Sequence, residues 1–384
     1  MKIDPYNSEK VYVKWKEMAS RGIPEIGEFN KNILMQYLND MEIGVNIGVG
    51  SKKGARSFTR LISLKDRMIF IIKKIKALYN LDKISDLTEE KIHSLFNSMM
   101  NGTIKRPDGK RYKSVSDYIK IFRSFWHWYE KINRKKKIEV VDITRDLDSR
   151  EEKPDWVYLT ESDIKKVYDN VKYEYKVLIM FLFDSGIRAP TELMNIKVSD
   201  FHSDFKEVNI REEISKTFGR RIKLMLCPEL IKQYVTNKKI SLDDYLFKIN
   251  PAVVNRYLKR LARKIFGEKE SPAGQKYSEL TMYDFRHCSC CYWMPRYKSE
   301  SALKYRFGWK SSDKIHYYSE LLGMRDTITE EDLLIDITKA EIEKRLEKSD
   351  NEKEILNEKV KCLESEMVII KKWVKTLVKE NLET

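Results

Sequence analysis

The run Tyr173-Glu174-Tyr175-Lys176-Val177-Leu178-Ile179-Met180-Phe181-Leu182-Phe183-Asp184-Ser185-Gly186-Ile187-Arg188-Ala189-Pro190-Thr191-Glu192-Leu193 decides how the chain is read. Residues 177–183 are apolar on every side of a helix, which predicts a helix buried in a core. Asp184-Ser185-Gly186 should end it, because glycine adopts the left-handed conformation that closes a helix. Arg188 is then held at the mouth of the next helix, where its rigid fork of N–H donors suits phosphate oxygens. The same apolar run is the longest in the chain and falls far short of the ~20 residues a membrane-spanning helix needs.

Upstream, Leu159-Thr160-Glu161-Ser162-Asp163 predicts a helix start, with Thr160 as the cap and Asp163 three residues on. Downstream, residues 206–211 and 221–226 alternate well enough for two strands joined at Thr217-Phe218-Gly219, with Lys216 at the tip. Residues 250–266 predict a helix with Val254, Leu258, Leu261 and Ile265 on one face. Arg256, Lys259, Arg260, Arg263 and Lys264 occupy the rest of it, which suits a helix touching phosphates or base edges and equally suits a solvated face. Beyond it stand Tyr283-Asp284-Phe285-Arg286-His287, then Phe307-Gly308-Trp309, and, nine positions after Trp309, Tyr318.

The N-terminal third reads as helices throughout. Ile33, Leu34, Tyr37 and Leu38 mark one, followed by a Gly-, Ser- and Lys-rich break at 44–54 that reads as the end of an arm and linker. Leu61, Ile62, Leu64, Met68, Ile71, Ile72, Ile75 and Leu78 mark a longer helix, and Thr88 caps the next. A fourth spans 115–132, where the spacing of Trp126, Trp128 and Tyr129 favours core over base stacking. A cationic run, Arg134 to Lys137, then opens a charged linker. Near the other end, Leu356, Val360, Leu363, Met367, Ile370, Val374 and Leu377 recur at alternating four and three, the seam of a short coiled coil.

The whole chain has 384 residues, with 74 Lys plus Arg against 59 Asp plus Glu, a formal net charge of +15. At 42% hydrophobic and 35% charged it can bury a core beneath an ionised surface, which argues against wholesale disorder. The cationic excess favours a polyanionic partner, since neutralised phosphates release counterions. Five cysteines and a polar start without a signal-peptide pattern fit a reducing cytoplasm. Cys288, Cys290 and Cys291 have no second ligand pair at zinc spacing and read as packed thiols, so no metal site is expected.

Singly, each candidate has an ordinary explanation: a solvated cap, a surface lysine, a core aromatic. Their order and spacing carry more. Gly186, Arg188, Glu192 and Leu193 after an apolar helix, then Lys216, then Tyr283-x-x-Arg286-His287, then Gly308-Trp309, then Tyr318, resemble the catalytic domain of the tyrosine recombinases, the phage-type integrases. The resemblance is close over 155–322 and looser over 55–135, which looks like the family's core-binding domain. It implies that Arg188 and Arg286 are the two catalytic arginines, Lys216 the hairpin lysine, Trp309 the His-or-Trp residue and Tyr318 the nucleophile. The family usually has His where this chain has Tyr283. A tyrosine there resembles integrases of archaeal plasmids and viruses.

The chemistry can be argued from the residues. A phenol with a reference pKa of about 10 needs cationic surroundings or a base to attack phosphorus. Two guanidiniums on the non-bridging oxygens stabilise the charge that accumulates there, so neither metal nor cofactor is expected. Attack by Tyr318 leaves a 3′-phosphotyrosine and a 5′ oxygen that Lys216 is placed to protonate. The phosphotyrosine conserves the bond energy, so rejoining requires no ATP, and no Walker-type loop is present in the sequence. Tyr283, a phenol, suits positioning more than proton abstraction. Tyr317, adjacent to Tyr318, competes with it as nucleophile and is set aside only by the offset from Trp309.

The expected fold is mainly α with a small antiparallel β-sheet. The expected parts are an N-terminal helical arm and linker (1–54), a helical core-binding domain (55–135), a linker (136–154), a catalytic domain (155–325) and a helical, coiled-coil tail (326–384). The expected function is site-specific recombination integrating or excising a mobile element. Double-stranded DNA is the expected partner, a tetramer the expected assembly on it, and no membrane is involved. The groove-facing candidates are Arg256, Lys259, Arg260 and Arg263. Alternatives are dimer resolution, topoisomerase-like relaxation, and a DNA-binding protein on a decayed catalytic scaffold.

Overall fold

The buried helix read from 173–185 is the axis of the second of two hydrophobic cores. The computed structural model describes residues 2–48, 51–150, 153, 155–297 and 299–321, together with 360 and 367. The chain divides into two units, Met1–Leu322 and Gly323–Thr384. Of the second, only Val360 and Met367 are described, both helical and exposed; the rest of the expected coiled-coil seam lies outside the described residues.

The first core is built by α1 (Ser8–Arg21), α2 (Glu28–Ile43), α3 (Phe58–Tyr79), α4 (Glu89–Met100) and α5 (Val115–Lys135). Thr88, the cap read from the sequence, accepts from the Lys91 amide, and Ser57 caps α3 by accepting from the Arg60 amide. On α3 every apolar position named above except two faces inward: Ile62 is half-buried, and Leu78, in the last turn, is exposed. On α5, Phe122, Phe125, Trp126 and Trp128 are buried, with the Trp126 indole donating to the Val141 carbonyl and that of Trp128 to Asp40. These tryptophans are core residues.

Two segments pack more tightly than an arm and a linker would. Tyr12, Leu34, Tyr37, Leu38, Met41 and Ile47 share this core with α3–α5, and so do Ile143 and Leu147 from beyond α5. The mutual burial of these side chains is the physical reason: α1 and α2 each have one apolar face, and α3 and α5 cover it.

The second core holds α6 (Glu161–Asp169), α7 (Tyr173–Ser185), β1 (Phe201–His202), β2 (Glu207–Ile210), β3 (Arg220–Lys223), α8 (Pro228–Lys238), α9 (Pro251–Phe266), α10 (Met282–Trp293), α11 (Glu300–Phe307) and α12 (Asp313–Leu321). Thr160 and Asp163 form the expected reciprocal cap of α6. Gly186, with φ of 61°, ends α7 in the left-handed region. The sheet is antiparallel in the order β1-β2-β3, with Val208 opposite Ile222 and both buried. β3, which ends at Lys223, is shorter than the expected 221–226. The Asp184 carboxylate collects the amides of Met225, Leu226 and Cys227 and draws the chain out of the sheet toward α8. Nor does a regular helix follow Arg188. Its amide is taken by the Glu192 side chain, and a single 3-10 turn, Leu193–Asn195, comes next. Among the described residues no helix is long and apolar enough to cross a membrane.

Candidate active site

One hollow of about 300 Å³ is lined by Arg188, Lys216, Tyr283, Arg286, Trp309 and Tyr318, the six candidates for the reaction itself. Thr217, His287, Lys310 and Lys314 also line it, and among the described residues no carboxylate does. Five cationic side chains around a small space make an anion site by Coulomb attraction alone.

Each guanidinium is set by a different device. Arg188 donates to Glu192 at 2.7 Å, to the Gly308 carbonyl at 2.8 Å and to the Thr217 hydroxyl at 3.4 Å. Glu192 is wholly buried and also binds the buried Arg220. Burial would raise its carboxyl, but hydrogen bonds and charge from Arg220, followed by Arg188, hold it down to about 2. Arg286, on the first turns of α10, is 3% exposed and donates to the carbonyls of Gly186 and Phe307. A guanidinium has five N–H donors, so both arginines keep some for a ligand.

Close backbone approach makes this possible. A Cβ on Gly186 would run into the Phe307 ring and the Ser289 hydroxyl, which would push away the carbonyl that Arg286 holds. Lys216 is exposed in the loop between β2 and β3, next to Thr217, whose hydroxyl donates to Gly308 at 2.9 Å. The loop is thereby tied to the turn that carries Trp309.

Tyr318 and its surroundings form an aromatic stack. Its ring lies 5.8 Å from Trp309 at 14°, and Trp309 in turn stacks on Phe307. Tyr318 is 4% exposed, and burial pushes its phenol far above the ordinary value. Its hydroxyl lies 2.5 Å from Nδ1 of His287. Tyr317 is half-buried and lines the same hollow, but its neighbour is the one whose hydroxyl meets the imidazole. Tyr283 is 44% exposed and touches the His287 ring edge-on at 5.1 Å.

His287 is the residue sequence reasoning passed over. It stands beside Arg286 in the quoted motif, yet nothing in the motif says which way the ring turns. Trp156 decides that, stacking under it at 4.6 Å. Trp156 is carried there by a segment stitched to α10: the Val157 amide donates to Asp284 and the Leu159 amide to Cys288. Burial, then the charges of Arg286 and Lys314, push the imidazole down to about 3, so it is neutral near pH 7. Lys310 and Lys314 were also missed, since lysines in a polar stretch look like any solvated charge.

The α9 residues lie outside the hollow. Asn250 caps this helix, and Arg256 and Arg260 are exposed on it, whereas Lys259 pairs with Glu279 and Arg263 with Glu268. Such surface pairs contribute at most ~1 kcal/mol, so exchange for a phosphate is inexpensive. The Asn255 side chain accepts from the Met282 amide and holds α9 against the start of α10. The cysteines are packed thiols: Cys288, Cys290 and Cys291 are buried, and burial raises all three.

No family model matches the chain, and no curated protein does. Solved structures do. The Tn1549 transposon integrase in complex with circular intermediate DNA is similar over 80% of this chain and 98% of its own, at 15% identity and a TM-score of 0.55. The XerH site-specific recombinase in its post-cleavage complex with palindromic difH substrate covers 81% and 91%, at 12% identity and a TM-score of 0.53. A lambda integrase dimer bound to a COC′ core site covers 78% and 79%, at 16% identity and the same TM-score of 0.53. The fold of this chain is the tyrosine-recombinase fold.

Proposed function

We propose that the chain is a site-specific DNA recombinase that breaks and rejoins strands through a 3′-phosphotyrosine intermediate. The observation that carries this is the meeting of Arg188, Lys216, Arg286 and Tyr318, distant in sequence, in one cationic hollow. A phosphodiester there receives the free donors of Arg188 and Arg286 on its non-bridging oxygens. Tyr318 attacks phosphorus, and Lys216 protonates the departing 5′ oxygen. Trp309 keeps the nucleophile's ring in place by stacking, and Tyr283 positions the phosphate side of the site.

Double-stranded DNA is the partner this reading requires. It is supported by the fold shared with DNA-bound recombinases and by the net charge of +15. A second basic hollow in the N-terminal core, lined by Lys52, Arg56, Arg60 and Lys120, supports a grip on the backbone by that half as well. We assign 155–325 to catalysis and the helical N-terminal half to DNA binding. A tetramer on DNA, integration or excision of a mobile element, and a self-associating tail belong to the same proposal.

The test uses a pool of nicked duplexes with randomised sequence, on which cleavage releases a short fragment and strands the protein on its DNA. The expected result is a detergent-resistant adduct with the wild-type chain and none with Tyr318→Phe. A wild-type chain that shifts duplexes in gels and forms no adduct would leave a binding protein only.

A further inference from the structure

We infer that His287 is the general base that takes the proton of Tyr318. The inference rests on the recombinase reading above and adds to it the group that activates the nucleophile. Its ground is geometric. The Tyr318 hydroxyl lies 2.5 Å from Nδ1, at the short end of hydrogen-bond range, and both side chains line the same hollow.

The direction of that bond follows from the surroundings. Burial keeps Tyr318 a phenol, which has an O–H to donate. The imidazole is neutral and offers one lone pair, so Nδ1 accepts and the ring proton sits on Nε2. The ring cannot easily turn away, because Trp156 stacks beneath it and Tyr283 closes its edge. Other groups around the hydroxyl do not serve. Cys290 also faces it, but burial pushes that thiol up to about 12, so it stays protonated. Tyr283 is a phenol and mainly a donor.

The Oη–H bond breaks and its proton passes to Nδ1 while Oη bonds to phosphorus. The bond from phosphorus to the 5′ oxygen breaks, and that oxygen takes a proton from Lys216. The imidazolium so formed faces Arg286 on its own helix and Lys314 on α12; the rings of Tyr283 and Tyr318 meet it, and Cys290 and Cys291 lie against Tyr318. Burial opposes it most, and those two cations add to that. A bound phosphodiester brings a negative charge to the same place and offsets them, so the base gains strength when DNA arrives. The imidazole missing from position 283 is thus supplied four residues later, from the next turn of α10.

The test compares single-turnover adduct formation by the wild-type, His287→Asn and Tyr318→Phe chains on a nicked duplex recovered from the randomised pool. Asparagine can place an oxygen where Nδ1 stood and hold the hydroxyl, but it cannot take a proton. The expected result is cleavage slowed about 10²–10⁴-fold at pH 7, with DNA affinity unchanged. The residual rate should rise about tenfold per pH unit as hydroxide takes over, against a flat wild-type profile. A His287→Asn rate within about threefold of wild type, with the same pH profile, overturns the inference and leaves the enzyme reading standing. Absence of any Tyr318-dependent adduct from the wild-type chain overturns both. A measurement on the unaltered, DNA-free chain needs no variant to fold: ¹⁵N spectra of selectively labelled histidines should show His287 with Nδ1 unprotonated and Nε2 protonated. A proton on Nδ1 overturns the inference.

Discussion

Glu192 and Arg220, both wholly buried, meet fork to fork at 2.8 and 3.1 Å, and the same carboxylate holds Arg188 at the rim of the hollow. The charge behind the site is therefore structural: it fixes one arginine at the hollow by burying another. Removing one member of such a pair leaves an uncompensated charge. Glu192→Gln should lower unfolding stability by about 3–5 kcal/mol in urea titrations. The pair also sets a pH dependence. The Glu192 carboxyl is held down to about 2 in the folded chain from an ordinary 4.5, so the unfolded state binds its proton first as pH falls. Its contribution should be complete above about pH 5 and lost progressively toward pH 2, and Glu192→Gln should flatten that part of the stability curve.

Gly186 and Gly54 share a positive φ, of 61° and 93°, but differ in what surrounds them. A Cβ on Gly54 meets nothing, whereas one on Gly186 meets Phe307 and Ser289. Gly54→Ala should cost about 1–2 kcal/mol of backbone strain, with adduct formation unchanged. Gly186→Ala adds overpacking and should cost about 2–5 kcal/mol in thermal or urea unfolding. It should also reduce cleavage in whatever fraction stays folded, because the carbonyl that seats Arg286 is displaced. Equal costs for the two would contradict the packing described around Phe307.

Lys216 is assigned to the leaving group, and a sulfur substitution isolates that role. Lys216→Ala should slow cleavage of an ordinary phosphodiester about 10²–10⁴-fold. It should have little effect when the 5′ bridging oxygen is replaced by sulfur, because a thiolate leaves without a proton. A defect of equal size on both substrates would place Lys216 elsewhere in the reaction.

Much of the architecture was legible because it is local. The apolar run at 177–183, the caps Thr88 and Thr160, and the stop at Gly186 are decided by neighbours within a turn of helix. What escaped the sequence is made of distant contacts. Tyr12 and Leu147 belong to one core only because α1 and the chain after α5 fold onto α3 and α5. β3 stops early because Asp184, some forty residues away, claims three amides. The site divides in the same way. The six residues gathered in the hollow stand in motifs of recognisable order, whereas His287 depends on a ring turned by Trp156, which no spacing in the sequence encodes.

The attachment point of the DNA tests the account most directly. After trapping on a nicked duplex and digestion with nuclease and protease, tandem mass spectrometry should find the residual nucleotide on Tyr318, joined through its 3′ phosphate. A nucleotide on Tyr317, on a residue outside the hollow, or on none at all would contradict the account.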